Sequence, residues 1–93
     1  MHIDLAEGTP PLDSLPPFMG RLVLRRGEQH ILSALAEQPP LPGQRVLWRL
    51  WWRTPEQVCS IRLVTSLRGV IAAAKLLESG ADTRALSLAT ERL

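Results

Sequence analysis

The sequence lacks most features that would place it in a membrane, secreted or disulfide-bonded class. It has one cysteine, no tyrosine, one phenylalanine and one lysine, and it contains no long apolar run. One cysteine excludes an internal disulfide and is typical of a reducing compartment. Without a long apolar run or a basic and apolar N-terminal segment, the sequence indicates neither a membrane span nor a secretory signal. We therefore expect a cytoplasmic protein that has no membrane partner.

Motifs that specify a reaction are missing as well. The chain has no glycine-rich phosphate loop and no carboxylate pair at a spacing suited to acid–base chemistry. Cys59 and His30 are far apart in sequence, and nothing beside them would orient a nucleophile and its base. Two histidines and one cysteine are too few for a convincing zinc site. The sequence therefore predicts a protein that is not an enzyme, with no cofactor, no metal and no small-molecule substrate.

The length and composition indicate one small globular domain. The chain has 93 residues, of which 45% are hydrophobic and 22% charged. These proportions are typical of a folded protein rather than a disordered one. A chain this short buries only about 60–65% of the surface that its unfolded state exposes. We therefore expect a homodimer, or a subunit whose stability depends on a partner.

Charge is distributed unevenly along the chain. Residues 1–20 carry three acidic groups and no basic group, so the remainder holds eleven basic groups against six acidic ones, a net charge of +5. All of the basic residues except Lys75 are arginine. Arginine stacks on aromatic rings and pairs with carboxylates and phosphates through two parallel hydrogen bonds. This composition favours a binding function directed at acidic groups.

Proline density and hydrophobic patterning predict an α+β fold with an arm. Four of the eight prolines lie in residues 1–17, which we interpret as an extended arm or flexible segment, leaving 18–93 as a single globular domain. Alternating apolar residues predict a strand over about 20–26. The spacing of apolar residues and the candidate caps predict three helices, over about 28–38, 55–79 and 83–92.

A second strand is predicted over about 45–53, in the stretch "RVLWRLWWRT", which holds all three tryptophans of the chain. As a strand, it has one apolar face (Val46, Trp48, Leu50, Trp52) and one mixed face (Arg45, Leu47, Arg49, Trp51, Arg53). As a helix, it would align Arg45, Arg49 and Arg53, and the domain would be all-α. Tryptophan and valine favour strands, and Thr54 precedes a proline, which disfavours the helical conformation. Two strands alone make a poor sheet, so either a second subunit adds strands or one predicted strand is wrong.

The mixed face of this strand is the candidate binding surface. Tryptophan and arginine are enriched at interaction hot spots, so we assign partner binding to Arg45, Arg49, Trp51, Trp52 and Arg53. The alternative is that Trp51 packs under helices of the same chain, covered by arginine stems. A protein partner is favoured over nucleic acid because a net charge of +5 over 73 residues is modest for a nucleic-acid binder.

Small residues form a row in the long predicted helix. Ser66, Gly69 and Ala73 fall roughly in line, and such a seam lets two helices approach closely. A glycine inside a helix costs about 1 kcal/mol relative to alanine, so close packing would explain it, against the last helix or against a second subunit. Simple tolerance of glycine is an equal alternative.

These observations favour a small non-enzymatic regulator, adaptor or inhibitor that binds a protein through its arginine and tryptophan surface. Its size and composition are typical of small proteins encoded by phages and other mobile elements. The alternative is a regulator that binds nucleic acid through the same basic face.

Overall fold

The computed structural model describes residues 1–8, 20–91 and 93, which form a five-stranded mixed sheet and two helices. The strands are β1 (His2–Asp4), β2 (Arg21–Arg26), β3 (Gln29–Ala36), β4 (Val46–Arg53) and β5 (Val58–Thr65), and the helices are α1 (Leu67–Glu78) and α2 (Thr83–Thr90). The sheet order is β1-β2-β3-β4-β5; β1 is parallel to β2, and the other neighbours are antiparallel. The α+β class is confirmed. The prediction of two strands and three helices is wrong, and so is the all-α alternative.

The first residues of the chain belong to the sheet. β1 lies beside β2 with Ile3 opposite Leu24, and Ile3 is buried. The Asp4 carboxylate accepts a hydrogen bond from the backbone N–H of Ala6 at 2.9 Å and from that of Gly27 at 3.0 Å. Of the predicted arm over residues 1–17, residues 1–8 therefore lie in the fold, and residues 9–17 fall outside the described residues.

β2 and β3 form a hairpin, and the helix predicted over 28–38 is wrong. Gly27 lies in the turn with a φ of 62°, a conformation that glycine adopts without steric cost. A register shift after Leu24 lets Ile31 and Leu32 both enter the core. The shift interrupts the alternation that identifies a strand, so the apolar residues of β3 imitate helical spacing.

A second hairpin joins β4 to β5 and overturns the first half of the helix predicted over 55–79. Thr54 Oγ1 accepts hydrogen bonds from the backbone N–H groups of Glu56 and Gln57, and Thr54 N–H donates to Gln57 O at 2.8 Å. The threonine expected to cap a helix therefore closes a turn. The following residues are rich in β-branched side chains, which pack well on a pleated sheet.

The helices begin at residues that cap them with side-chain oxygens. Ser66 Oγ accepts from Gly69 N–H at 3.3 Å at the start of α1, and the Asp82 carboxylate accepts from Ala85 N–H at 2.9 Å at the start of α2. Both contacts satisfy backbone donors that lack a partner within the helix. The second half of the predicted helix over 55–79 and the predicted last helix therefore correspond to α1 and α2.

Both helices lie on one face of the sheet and form the core with it. Trp48 and Leu50 of β4 are fully buried with Val70 of α1 and Leu86 of α2. Trp48 Nε1 donates to Thr65 O at 3.0 Å, which satisfies the polar atom of the ring. The predicted strand over 45–53 and its apolar face are thus confirmed, as is the strand over 20–26.

An ion pair holds the β2–β3 end of the sheet to α1. Arg26 Nε donates to Glu78 Oε2 at 2.5 Å, and Arg26 Nη2 donates to Glu78 Oε1 at 3.0 Å. The hydrogen bond from Arg26 lowers the pKa of the Glu78 carboxyl.

Within the part of the chain that the structure describes, no helix has the length and apolar character needed to cross a membrane.

Candidate functional site

The sheet face turned away from α1 and α2 is the candidate functional site, and we call it the open face. Neither helix lies on it. Its side chains alternate with those of the core, and all five strands contribute. They include His2 from β1, Arg21, Val23 and Arg25 from β2, His30, Ser33 and Leu35 from β3, Leu47, Arg49, Trp51 and Arg53 from β4, and Val58, Ser60, Arg62 and Val64 from β5. The mixed face predicted for residues 45–53 supplies its centre.

The strand register brings two arginines together on the open face. Glu37 N–H donates to Leu47 O at 2.8 Å, so the backbone groups of Leu47 point to β3. By alternation, those of Arg49 also point to β3 and away from β5. Arg49 lies opposite Arg62 in the register, and this pair therefore occupies a non-hydrogen-bonded position, where side chains on neighbouring strands are closest.

These two arginines have no acidic partner among the described residues. The ion pair found there joins Arg26 to Glu78, at the other end of the sheet. Glu37 lies at the rim of the open face opposite Leu47, is exposed, and pairs with neither arginine. Like charges directly opposite on a sheet are destabilising. The open face therefore presents a paired positive charge that an external anion can neutralise.

Trp51 lies beside this pair and is 36% exposed. Its cross-strand neighbours are Ser33 on β3 and Ser60 on β5, whose small side chains leave the indole ring uncovered. Trp48 and Trp52 point the other way and are 0% and 8% exposed. The tryptophan-rich strand therefore contributes two rings to the core and one to the open face.

Two shallow grooves meet at Trp51. The first, of about 560 Å³, is lined by Leu35, Arg49, Trp51, Ser60, Ile61 and Arg62. The second, of about 660 Å³, is lined by His30, Ser33, Trp51, Trp52, Arg53, Thr54, Pro55 and Val58. The first groove brings Leu35 and Trp51 together with two cations, whereas the second is bordered by the exposed side chain of Val58. The open face can thus receive an acidic group and an apolar group on opposite sides of one indole ring.

The residues predicted to bind a partner divide into two groups. Arg49, Trp51 and Arg53 lie on the open face. Arg45 donates instead to Val64 O at 2.9 Å and to Glu91 O at 2.6 Å, so its guanidinium holds the end of α2 against β5. Trp52 faces the core.

The predicted seam of small residues lies inside the chain. Ser66 caps α1, and Gly69 and Ala73 are buried. A side-chain carbon at Gly69 would overlap Thr65 Oγ1 on β5. The close neighbour of Gly69 is therefore a strand of the same chain, which explains the glycine within the helix.

Sequence reasoning did not assign Arg62, Ser60 or Leu35 to the site. All three fall in segments for which helices are predicted. The alternation of Ser60 and Arg62 with the more apolar Cys59, Ile61 and Leu63 was a usable signal for β5. It was obscured because the apolar residues at 58, 61 and 64 are also spaced as on a helix.

The polar groups elsewhere do not assemble a metal centre in the described part of the chain. No group of three or more histidine, cysteine, aspartate or glutamate side chains there could hold a metal ion. Cys59 is a half-buried free thiol. His30 Nε2 and Ser33 Oγ are 2.8 Å apart on the open face, but no carboxylate of the described residues hydrogen-bonds to this imidazole.

Comparison with known proteins gave no match to a family model, a curated protein or a solved structure. The open face is therefore interpreted from its own residues.

Proposed function

We propose that this chain is a non-enzymatic binding protein, a regulator, adaptor or inhibitor that covers an acidic and apolar surface of a protein partner with its open face. The observation that supports this most directly is the half-exposed Trp51 beside the unneutralised pair of Arg49 and Arg62. Aromatic and arginine side chains at the centre of a patch are the usual anchors of a protein interface. The free thiol of Cys59 is consistent with the proposed location in a reducing cytoplasm.

The chemistry of the two grooves defines the partner. An aspartate or glutamate of the partner would accept hydrogen bonds from Arg49 and Arg62 in the first groove. Arginine forms such bonds in a paired geometry that lysine lacks. An apolar side chain of the partner would pack on Trp51 and Val58 in the second groove. Arg53 at its border would add a further contact to acidic groups at the rim.

A protein is favoured over nucleic acid by the side chains around Trp51. Single-stranded nucleic acid is bound by successive aromatic rings on which successive bases stack. Among the described residues, Trp51 is the only tryptophan, tyrosine or phenylalanine on the open face. Its surroundings are instead aliphatic, with Leu35, Val58 and Val64 exposed or half-exposed. Such side chains match apolar groups of a protein better than they match bases.

The test begins by identifying the partner through Trp51 itself. The photo-reactive amino acid p-benzoylphenylalanine replaces Trp51 in the host cell, and proteins crosslinked on irradiation are identified by mass spectrometry. A purified candidate is then titrated by calorimetry with wild type, Trp51→Ala, Arg49→Glu and Arg62→Glu. We expect each change to weaken binding about thirtyfold or more, as at a hot spot.

The matched control is Arg84→Glu, an equal charge reversal on α2, which lies on the other side of the sheet. It should leave the affinity within about twofold. Equal weakening by Arg84→Glu would mean that net charge, and not the open face, governs binding. Retention of single-stranded DNA or RNA at low salt, lost steeply as salt is added and abolished by Arg49→Glu, would instead support the nucleic-acid alternative.

A further inference from the structure

We propose that β5 is a dimerisation edge, at which two copies of this chain pair their β5 strands antiparallel into one continuous sheet centred on Ile61. Pairing at this edge is made by the backbone of β5, so it does not depend on the proposed function of the open face.

The backbone groups of alternate β5 residues point away from the sheet. Because the backbone of Leu47 points to β3, its partner Val64 directs its N–H and C=O away from β4. By alternation, the same holds for Val58, Ser60 and Arg62. Among the described residues, the hydrogen bond found on this edge is the one that Val64 O accepts from Arg45. The other outward donors and acceptors of β5 have no partner among the described residues, and a second strand could pair with them.

This edge lacks three of the features by which proteins prevent strand pairing, since protected edges are short, bulged, interrupted by proline, or charged. Arg62 is the one charged side chain of β5. β5 has eight residues without proline or glycine, and its register with β4 is continuous from Val58 to Thr65. The opposite edge, β1, has only three residues. The exposed fractions of Val58 and Val64 on β5 are 61% and 57%, so the open strand also presents apolar side chains.

The free edge of β5 is limited at both ends by contacts within the chain. The turn from Thr54 to Gln57 closes one end. At the other end, the outward N–H of Ser66 donates to Leu93 O at 3.3 Å. Residues 58–64 remain, and their midpoint is Ile61. A second copy carries the same free segment, and a two-fold axis through Ile61 pairs the two segments over their whole length.

The side chains of β5 complement one another in this register. Val58 of each copy lies opposite Val64 of the second copy, so the two valines contact each other across the strands and keep their outer surfaces on the open face. Ser60 lies opposite Arg62 of the second copy, so no like charges are directly opposed. The four hydrogen-bonded pairs offer about eight main-chain hydrogen bonds. About six of them remain while Arg45 holds Val64 O in each copy, within the range of a typical interface.

Neighbouring registers are less favourable. A shift that centres the pairing on Arg62 places the two copies of that arginine opposite each other, which is destabilising. A shift that centres it on Ser60 places Val58 opposite Arg62. In the Ile61 register, the turn that contains Glu56 also approaches the end of β5 in the second copy. Arg45 of that copy donates to Val64 O at this end. Opposite charges therefore approach each other at both ends of the dimer.

The first test is the mass in solution of the purified full chain. The mass of one chain is 10.3 kDa. Sedimentation equilibrium at concentrations from about 1 to 100 μM should show the average mass rising from that of a monomer towards that of a dimer. Ser60→Pro removes an outward donor that β4 does not use, a position where an edge strand tolerates proline. We expect it to raise the dimer Kd at least tenfold, whereas Ser60→Ala, the matched control, should leave the Kd within about twofold.

A wild-type chain that is monomeric throughout this range would overturn the proposal. So would a Ser60→Pro variant that keeps the native circular dichroism spectrum and the wild-type dimer Kd.

The second test determines the register of the two β5 strands by disulfide crosslinking. In a Cys59→Ser background, Ile61→Cys places two thiols at a non-hydrogen-bonded pair about 4.5 Å apart between Cα atoms, within disulfide range. Arg62→Cys places its two thiols on a diagonal, about 7–8 Å apart, where bridging is disfavoured. We expect the disulfide-linked dimer to form at least tenfold faster with Ile61→Cys in a glutathione buffer. Faster crosslinking of Arg62→Cys would overturn the Ile61 register.

Discussion

Arg49 and Arg62 lie directly opposite each other on the open face, with neither paired to a carboxylate of the described residues. A natural sheet usually places an opposite charge or a polar residue at such a position, because like charges across two strands repel. Repulsion between the two arginines lowers the stability of the free protein, and an anionic group bound between them would relieve it. Substitutions of Arg62 and Trp51 separate the binding role of the open face from the contribution of its residues to folding.

Arg62→Glu should stabilise the free protein while it abolishes partner binding. The change replaces a repulsive cross-strand pair with an attractive one, so we expect the free energy of unfolding to rise by about 0.5–1 kcal/mol at low salt. A urea titration followed by tryptophan fluorescence measures this difference. The gain should shrink as salt is added, because salt screens exposed charges.

Arg49→Gln provides the control background, since it removes one member of the arginine pair. In that background Arg62→Glu should change the free energy of unfolding by no more than about 0.5 kcal/mol. If Arg62→Glu is instead less stable than wild type at low salt, the two guanidinium groups do not repel each other in the way that their register indicates.

Trp51→Ala and Trp52→Ala should have opposite consequences although the two residues are adjacent. Trp52 is buried, so its truncation should cost about 3–5 kcal/mol, enough to unfold a marginal domain. Trp51 is partly exposed and faces small neighbours, so its truncation should cost about 1 kcal/mol and remove partner binding. Thermal unfolding by circular dichroism distinguishes the two variants.

Fluorescence quenching checks the same assignment without relying on a partner. In the folded protein, acrylamide should quench the emission of Trp51 and leave that of Trp48 and Trp52 largely protected. The quenchable fraction should therefore disappear in Trp51→Ala. A folded Trp51→Ala variant that remains as quenchable as wild type would show that another ring is the exposed one.

Gly69→Ala should destabilise the protein even though alanine is the better helix former. The propensity gain of about 1 kcal/mol is outweighed by overlap of the new methyl group with Thr65 Oγ1, and we expect a net loss of about 1–2 kcal/mol. The measurement is a double-mutant cycle with Thr65→Ala. The cost of the added methyl group should fall in the Thr65→Ala background; an unchanged cost would mean that the strand does not constrain this position.

The sequence predicted the class of the fold and the two faces of its central strand. Period-two alternation separated the buried Trp48 and Trp52 from Trp51, and the interpretation holds because β4 is central and therefore constrained on both edges. Cross-strand packing decided the rest. Leucine and alanine in β3 have high helix propensity, but pairing with β2 and β4 outweighs a local preference of a few tenths of a kcal/mol per residue.

The candidate site was predicted only in part because half of it comes from another strand. Arg49 and Trp51 could be assigned from β4 alone. Arg62 could not, since its position depends on the register of a hairpin whose turn, Thr54 to Gln57, has the same residues as a helix cap. Arg45 has the type and spacing of a binding residue, but a carbonyl at the end of α2 lies within its reach. Long-range contacts of this kind are not encoded in local periodicity.

Acid should destabilise the protein through two carboxylates near the β2–β3 turn. The hydrogen bond from Arg26 lowers the pKa of Glu78, and hydrogen bonds from the backbone N–H groups of Gly27 and Ala6 lower that of Asp4. Since both groups are more acidic in the folded state, the unfolded chain binds more protons in the acid range. Their contribution to stability is therefore complete at neutral pH and is lost as pH falls through the folded-state pKa values.

We expect the free energy of unfolding to fall as pH decreases below about 4.5, where unperturbed carboxylates protonate. Glu78→Gln should lower the stability at neutral pH and make the acid dependence shallower. The effect should be modest because the side chains of the pair are 46% and 22% exposed, and solvent screens exposed pairs. Urea titrations between pH 7 and pH 2.5 provide the measurement, with Glu56→Gln as the matched control, since Glu56 lies in an exposed turn and forms no ion pair with the described residues. An acid dependence in Glu78→Gln as steep as in Glu56→Gln would show that the ion pair with Arg26 contributes nothing to folding.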